Sequence, residues 1–308
     1  MWYYNVHMKD NQRNTTTRII THRGLDPDRP RYFKESSLEA FTDQLARGYG
    51  LEFDMRVTAD GQMTAIHDSS LERLTGGRDK RKINEVPLAR LVATDFDGQH
   101  LTSIPHLLEL IAEKGAPRSI SALHLKSANQ TPEGLEILAG TLEEFSAWDK
   151  LIVFDATIPS AKYLVDKVPG IRLAASVSHP YDIERFNNAA GGTLITMEQL
   201  LENKDLFSWA WLDEWDRKDK NDGEKTLLNT EIFGKLRDHG IGIALVTPEL
   251  HTTSPSQPTG VQPDHLHEDG SPRERLNARL AEIVALKPGA MCTDHPDFVR
   301  RLIEDKNN

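Results

Sequence analysis

The feature that most constrains the fold is a regular alternation of short apolar runs with segments of helical spacing. Short apolar runs of this kind are typical of buried strands. The predicted main strands lie at residues 18–22, from residue 50 onward, and at 120–125, 151–154, 171–177, 208–212, 241–246 and 290–293. Eight strands, each followed by a helix, predict an α/β protein and more closely a (β/α)8 TIM barrel. A doubly wound open sheet is the alternative.

The segments between these strands carry helix start and stop signals. Ser36 and Ser37 precede the first helix as N-cap residues, and Gly48 and Gly50 end it. The predicted helices are 38–47, 105–113, 132–145, 159–167, 181–186, 197–201, 227–239, 273–286 and 296–304.

Four segments depart from the alternation. Residues 1–17 are predicted to be an N-terminal arm, and residues 18–308 a single barrel domain. Residues 68–104 are irregular and read as a small insertion or lid after the second strand. Polar loops at 213–226 and 251–271 follow the sixth and seventh strands, and the sequence assigns them no role.

Composition excludes several classes of partner. The net charge is −10 and the pI is near 5.7, which argues against a nucleic acid or an anionic membrane as the main partner. No apolar run approaches the roughly 18 residues of a membrane span, and the first residues do not resemble a secretory signal. Cys292 is the only cysteine, so no intrachain disulfide can form. We expect a soluble, cytoplasmic protein, whose oligomeric state the sequence leaves open.

The stretch from Gly50 to Asp68 carries the strongest chemical signal. Glu52 and Asp54 are two residues apart, so their side chains share one face of a strand. The turn signal Asp60-Gly61 then returns the chain toward His67. Two carboxylates beside an imidazole predict a site for a hard cation next to a proton-transfer group. An exposed acidic strand with an incidental histidine is the alternative that this stretch alone leaves open.

Other polar residues also follow predicted strands, where (β/α)8 barrels place their active sites. The strand-end residues are His22, Glu52, Asp54, His67, His124, Lys126, Asp213 and Asp294.

Several motifs in the first seventy residues resemble the glycerophosphodiester phosphodiesterase family. The matching motifs are His22-Arg23-Gly24, Glu35-Ser36-Ser37, Ala40-Phe41, Gly48, Glu52-x-Asp54, Thr58-x-Asp60-Gly61, His67-Asp68, Leu71-x-Arg73 and Thr293-Asp294-x-Pro296. The resemblance implies a barrel of the kind found in phospholipase-C-like phosphodiesterases, with a small insertion after the second strand. It also implies metal-dependent hydrolysis of a phosphodiester, a small-molecule substrate, to an alcohol and glycerol 3-phosphate.

The resemblance further implies roles for individual residues. His22 and His67 correspond to the acid/base pair, since an imidazole can serve either way near neutral pH. Glu52 and Asp54 correspond to metal-binding carboxylates for a divalent cation, Mg²⁺ or Ca²⁺. Arg23 and Lys126 would bind the phosphate; ion pairing to Glu35 or Asp68 is the alternative for Arg23, and a solvated strand-end charge for Lys126. Glu35 is expected to support the site.

Two positions depart from the family pattern. His124 stands where the family has a third metal-binding carboxylate, which favours Mn²⁺ over a harder ion; direct contact of His124 with the substrate is the alternative. The segment from Val246 replaces the family's usual seventh-strand motif, so Glu249 becomes a candidate substrate contact. Trp211 is a further candidate contact, with a place in the core as the alternative.

The leading hypothesis is therefore a divalent-cation-dependent phosphodiesterase. A lysophospholipase D, or a phosphodiesterase acting on a sugar or polyol phosphodiester, would use the same site. A non-catalytic phosphoester-binding protein is the third possibility, because His124 alters the expected ligand set.

Overall fold

The computed structural model describes residues 16–214, 226–248 and 272–305. Several of the sequence predictions lie outside these ranges, namely most of the arm at 1–17, most of the loop at 213–226, the whole loop at 251–271, and Glu249. The chain divides into two compact units, and each is described by itself: residues 20–172, and residues 173–308 together with those before residue 20.

The unit of residues 20–172 contains five strands and five α-helices. The strands are β1 (Arg18–His22), β2 (Gly50–Val57), β3 (Met63–Ala65), β4 (Ser121–His124) and β5 (Leu151–Phe154). The helices are α1 (Leu38–Ala46), α2 (Leu88–Val92), α3 (Ile104–Lys114), α4 (Pro132–Leu142) and α5 (Ile158–Lys167). Strands β1, β2, β4 and β5 pair in parallel in that order, whereas β3 returns antiparallel to β2.

Hydroxyl side chains begin four of these helices. Ser37, Ser103, Thr131 and Thr157 each accept a hydrogen bond from the backbone N–H three residues later. Such caps satisfy N–H groups that have no partner within the helix and stabilise it by about 1 kcal/mol each. The helix starts therefore lie close to the positions that the sequence predicts.

The unit of residues 173–308 continues the alternation. Its strands are β6 (Leu173–Val177), β7 (Trp209–Leu212), β8 (Gly242–Val246) and β9 (Ala290–Thr293). Its described helices are α6 (Pro180–Ala190), α7 (Met197–Glu202), α8 (Thr230–Asp238), α9 (Pro272–Ala285) and α10 (Pro296–Asp305). Strands β6 to β9 pair in parallel in chain order.

Apart from the short hairpin strand β3, the described residues form eight strands, and helices follow these strands along the chain. The fold is therefore a (β/α)8 TIM barrel, as predicted. Three helix boundaries were wrong by three residues or more: the predicted helix 132–145 ends at Leu142, the predicted helix 181–186 continues to Ala190, and α8 starts later than predicted. Helix α8 begins at Thr230 instead of residue 227, because Asn229 caps it. The N–H groups of Leu227 and Leu228 instead bond to the carboxylate of Glu214, which holds these residues outside the helix.

The predicted insertion at 68–104 packs, together with Ile66 just before it, around a separate hydrophobic core. Its members are Ile66, Leu71, Leu74, Ile83, Val86, Leu91, Phe96 and Leu101, all buried. We call this group the insertion core. The segment is therefore a packed substructure attached to the β2–β3 hairpin, with a 3₁₀ turn at Ile83–Glu85 and the short helix α2.

Every helix in the described ranges is too short or too polar to cross a lipid bilayer.

Candidate active site

Strand β2 places two acidic side chains beside the ends of its parallel neighbours. Residues 50–54 of this strand pair in parallel, with His22 opposite Glu52 and Asp54 opposite His124. Residues 55–57 pair with β3 instead. Glu52 and Asp54 were predicted to end the second strand; in the structure they lie inside it, at the end of its parallel part. The hairpin prolongs the strand without moving the two carboxylates from that edge.

Asp54 is surrounded by cationic side chains. Its Oδ1 lies 2.8 Å from Nδ1 of His124 and 2.9 Å from Nζ of Lys126, and its Oδ2 lies 3.3 Å from Nε of Arg23. Burial alone would raise the pKa of this carboxyl group, but Lys126, His124 and Arg23 outweigh burial and hold the pKa well below its usual range. Asp54 is therefore a carboxylate at neutral pH.

Glu52 has a different environment although it is equally buried. Its Oε2 lies 3.3 Å from the backbone nitrogen of Arg23, which donates to it. Burial and the neighbouring charge of Asp54 raise the pKa of Glu52 above its ordinary value. Two adjacent buried carboxylates cost free energy unless a positive charge compensates them.

The arrangement of these carboxylates fits a divalent cation. Glu52, Asp54 and His124 each offer one ligand atom, and these atoms lie within 4.8 Å of one another. Oδ2 of Asp54 is buried and, among the described residues, accepts no hydrogen bond. A carboxylate oxygen with unused acceptor capacity beside a second carboxylate is the type of donor that Mg²⁺, Ca²⁺ and Mn²⁺ bind.

His124 is held at both ring nitrogens. Nδ1 contacts Asp54, and Nε2 lies 3.1 Å from Oδ2 of Asp155, a residue that the sequence interpretation missed. Burial would lower the pKa of His124, but Asp155 and Asp54 outweigh it and raise the pKa to about 9. The ring also stacks on Phe154, with centroids 4.6 Å apart. One signal could have identified Asp155: it directly follows a predicted strand, as Asp213 and Asp294 do.

His67 lies at the end of the hairpin and is oriented by the next residue. Its Nδ1 is 2.8 Å from Oδ1 of Asp68, so the bond to this carboxylate favours the tautomer whose Nε2 can accept a proton. Burial lowers the pKa of His67, and the bond to Asp68 only partly offsets this. His67 is therefore predominantly neutral at pH 7.

A chain of ion pairs joins His67 to the residues around Asp54. Arg73 bonds to both Asp68 and Glu35, and Glu35 in turn lies 3.5 Å from Nη1 of Arg23. Burial would lower the pKa of Arg23, but Asp54, Glu35 and Glu52 outweigh it and raise the pKa. Glu35 lies between Arg73 and Arg23 in this chain of ion pairs, and its supporting role stays a prediction. Arg73 matched the family motif, although the sequence assigned it no contact.

The backbone at Arg23 is itself unusual. Arg23 has a φ of 52° and Gly24 a φ of 73°, so both residues are in the left-handed region. A Cβ at position 24 would lie 3.1 Å from Cβ of Ala40 and 3.2 Å from the ring of Phe41. Glycine is therefore required at this turn, which brings Arg23 back over β2.

Of the other predicted contacts, Trp211 lies in β7 and is 3% exposed, opposite Ser176 and Ala244 in the neighbouring strands. Its role as a substrate contact stays a prediction.

Solved structures with the same fold align with nearly the whole chain. The chain is 17% identical to a glycerophosphoryl diester phosphodiesterase from Parabacteroides distasonis, with a TM-score of 0.61 over 94% of this chain and 87% of that one. It is 15% identical to an Oleispira antarctica phosphodiesterase in complex with the product sn-glycerol-3-phosphate, with a TM-score of 0.59 over 94% and 97% of the two chains. At these identities the likeness shows the fold alone.

The sequence comparisons are more specific. The chain is 26% identical over 145 residues to the glycerophosphodiester phosphodiesterase of Caldanaerobacter subterraneus subsp. tengcongensis, a match that covers 44% of this chain. The matched part spans only 57% of that relative. The model of the glycerophosphoryl diester phosphodiesterase family matches residues 22–206, which contain the whole cluster around Asp54 and His67 and more than half of the chain. The chain therefore belongs to the glycerophosphoryl diester phosphodiesterase family.

Proposed function

We propose that this protein is a divalent-cation-dependent phosphodiesterase that hydrolyses a glycerophosphodiester to an alcohol and glycerol 3-phosphate. The observation that carries the proposal is the placement of His67, oriented by Asp68, in one network with the possible cation ligands Glu52, Asp54 and His124. His22 completes it, since it lies opposite Glu52 in the strand pairing. Family membership and the product complex of the Oleispira phosphodiesterase agree with this chemistry.

The two imidazoles would divide the proton transfers. Cleavage of a phosphodiester requires removal of a proton from the attacking oxygen and protonation of the leaving oxygen. Where the attacking oxygen is a neighbouring hydroxyl group of the substrate, water must then open the cyclic phosphate to give glycerol 3-phosphate. His67 has a lowered pKa and is neutral, so its Nε2 can take up the first proton. His22 would then supply the second. Arg23 and Lys126 bring two positive charges to the same region, where they would hold the negatively charged phosphate group.

Glu52, Asp54 and His124 would hold the cation, which when bound stabilises negative charge on the phosphate oxygens. His124 would ligate as the neutral imidazole, so cation binding would release to solvent the proton that its raised pKa retains in the metal-free site. The carboxylates favour Mg²⁺ or Ca²⁺, whereas the imidazole favours Mn²⁺. Direct contact of His124 with the substrate remains the alternative role for this residue.

A cavity of about 460 Å³ beside His67 bears on the alcohol that is released. Its lining residues are Arg56, His67, Asp68, Ser69, Ser70, Glu72 and Arg73. These side chains offer hydrogen bonds and balanced charge, and none is aliphatic or aromatic apart from the imidazole. No aliphatic side chain lines this cavity to pack against an acyl chain. It therefore favours a hydroxylated alcohol, as in a polyol or sugar phosphodiester, over the lipid substrate of a lysophospholipase D.

The test is release of glycerol 3-phosphate from glycerophosphodiesters with Mg²⁺, Ca²⁺ or Mn²⁺, measured with an enzyme-coupled assay. We expect EDTA to abolish activity and His22→Ala and His67→Ala to lower kcat/KM by roughly 10³-fold. His106→Ala is the matched control, because His106 is an exposed histidine on α3 whose side chain bonds only to Glu109 among the described residues. No turnover of any phosphodiester with any of the three ions would contradict the proposal.

The alternatives give different results in the same experiments. A lysophospholipase D would cleave lysophosphatidylcholine in preference to the deacylated diester. A non-catalytic binding protein would be stabilised by glycerol 3-phosphate, with a higher Tm, but would release no product. The cytoplasmic location and the single-domain organisation stay predictions.

A further inference from the structure

Asp155 occupies a backbone conformation that a residue with a side chain adopts only when its surroundings enforce it. It directly follows β5 and has a φ of 71°, in the left-handed region. Aspartate tolerates this region better than most residues, but glycine is the residue that adopts it without strain. A carboxylate at this position therefore requires an explanation in terms of its contacts.

The side chain of Asp155 contacts His124 and is mostly buried. Its Oδ2 lies 3.1 Å from Nε2 of His124, and the side chain is 12% exposed. On its other side the same ring has Nδ1 2.8 Å from Asp54, and one face of the ring stacks on Phe154 at an angle of 16°. The orientation of the imidazole is thus set by two carboxylates and one aromatic ring.

A single glutamine fixes the backbone on both sides of this contact. Nε2 of Gln130 donates to the carbonyl oxygens of Leu125 and Asp155, at 2.9 and 2.8 Å. Its Oε1 accepts a hydrogen bond from the N–H of Thr157 at 2.8 Å. The loops after β4 and β5 are tied together, which keeps Asp155 and His124 at a constant separation.

We propose that Asp155 is a positioning residue of the active site, which accepts the Nε2–H of His124 and thereby turns Nδ1 toward Asp54 and the cation. The proposal rests on the cation site proposed above. A histidine that binds a metal commonly donates its other N–H to a carboxylate, which fixes the tautomer and the ring orientation. Loss of such a carboxylate typically weakens metal binding about 10- to 100-fold.

Mutation can separate the effect of the Asp155 carboxylate from the effect of the backbone conformation at this position. Asp155→Gly removes the carboxylate but suits the φ of 71°. Asp155→Asn keeps an oxygen that can accept from Nε2 but removes the charge. Asp149→Asn is the matched control, because Asp149 is exposed and lies just before the start of β5, at the opposite end of the same strand.

The experiment is calorimetric titration of Mn²⁺ alone into the full chain freed of metal, with Tm measured for each variant. We expect Asp155→Gly to raise the Kd for Mn²⁺ by about 10- to 100-fold, Asp155→Asn to give an intermediate Kd, and Asp149→Asn to match the wild type. The Tm of Asp155→Gly should stay within about 5 °C of the wild type, because glycine relieves the backbone strain.

Unchanged Mn²⁺ affinity in both Asp155 variants would overturn the inference and leave the proposed function intact. A fall in Tm of more than about 10 °C in both variants would also overturn it, since the role of Asp155 would then be structural. If the wild-type chain bound no Mn²⁺, Mg²⁺ or Ca²⁺, the cation site itself would be wrong, and the proposed function would fail together with the inference.

Discussion

The buried carboxylate of Glu214 and the buried pair Glu52 and Asp54 lie in different units of the chain and differ in how their oxygens are satisfied. In the unit of residues 173–308, Glu214 accepts the N–H groups of Leu227 and Leu228 with one oxygen and bonds Nη2 of Arg279 at 2.6 Å with the other. Each oxygen of this carboxylate is satisfied. In the unit of residues 20–172, Glu52 and Asp54 lie side by side, and Oδ2 of Asp54 accepts no hydrogen bond from the described residues.

The difference separates a carboxylate that holds the fold together from the pair that we propose to bind the cation. A buried charge with a full set of partners has no capacity left for a ligand, so the Glu214–Arg279 pair is structural. Adjacent buried carboxylates destabilise the protein unless a ligand completes them, and such groups concentrate at functional sites. The same mutation, glutamate to glutamine, should therefore have opposite consequences in the two places.

The largest expected effect is on activity, in Glu52→Gln. Loss of a cation-binding carboxylate should lower kcat/KM by roughly 10³-fold. The free energy of unfolding should stay unchanged or rise at neutral pH, because burial and Asp54 already raise the pKa of Glu52 and disfavour its charged form. Enzyme assays and denaturant titrations at pH 7 measure the two quantities. A variant that lost stability and activity in parallel would contradict the comparison.

Glu214→Gln should show the reverse. It leaves the guanidinium of Arg279 without its buried partner, which should lower the free energy of unfolding by about 3 kcal/mol. The kcat of the folded fraction should equal that of the wild type. Denaturant unfolding gives the first value and an assay normalised to folded protein the second. A marked loss of kcat with intact stability would mean that Glu214 is part of the active site.

Asp68→Asn should have a smaller, pH-dependent effect. Burial lowers the pKa of His67 below its usual 6.5, and the bond to Asp68 raises the pKa part of the way back. Without the carboxylate, the pKa falls further and the imidazole loses its orientation, so kcat/KM should drop roughly tenfold. The acidic limb of the pH profile of kcat/KM should move to lower pH. Movement of this limb to higher pH would mean that the limb does not reflect the titration of His67.

The smallest effect is expected at an exposed ion pair with close contacts. Arg81 and Asp79 in the insertion bond at 2.5 Å; the Arg81 side chain is 44% exposed and the Asp79 side chain 20%, so water reaches both partners. Arg81→Ala should change the free energy of unfolding by less than about 0.5 kcal/mol, since water screens such pairs. A loss of unfolding free energy as large as that expected for Glu214→Gln would show that short distance, and not burial, determines how much a charge pair stabilises this protein.

Much of the fold follows from local sequence. The strands at 151–154 and 290–293 are confirmed to the residue, because apolar runs flanked by polar residues leave little freedom in their boundaries. The start of α8 was missed although Asn229 is a local N-cap signal. The contact that holds the N–H groups before it comes from the carboxylate of Glu214, thirteen residues earlier than Leu227. Interactions between distant residues of this kind leave no local pattern.

The site was predictable to a similar extent. The sequence indicates that strand ends meet at one edge of the sheet. The predicted residues at this edge do lie in one network in the structure: Glu52, Asp54, His67, His124 and Lys126. Asp155 follows the same rule but was missed, because a single aspartate before a helix is also typical of a capping loop. The bonds from Arg73 to Asp68 and Glu35 depend on how the insertion folds back, which motif spacing alone does not specify.

The insertion core has a consequence for motion. Ile66 belongs to this core and directly precedes His67. A packed segment with its own apolar group can open as a local unit while the strands stay folded. His67 should then be displaced more often when the free energy of local opening of the insertion is smaller. Native-state hydrogen exchange at residues 66–101 would measure how often the histidine loses its position during the lifetime of the folded barrel.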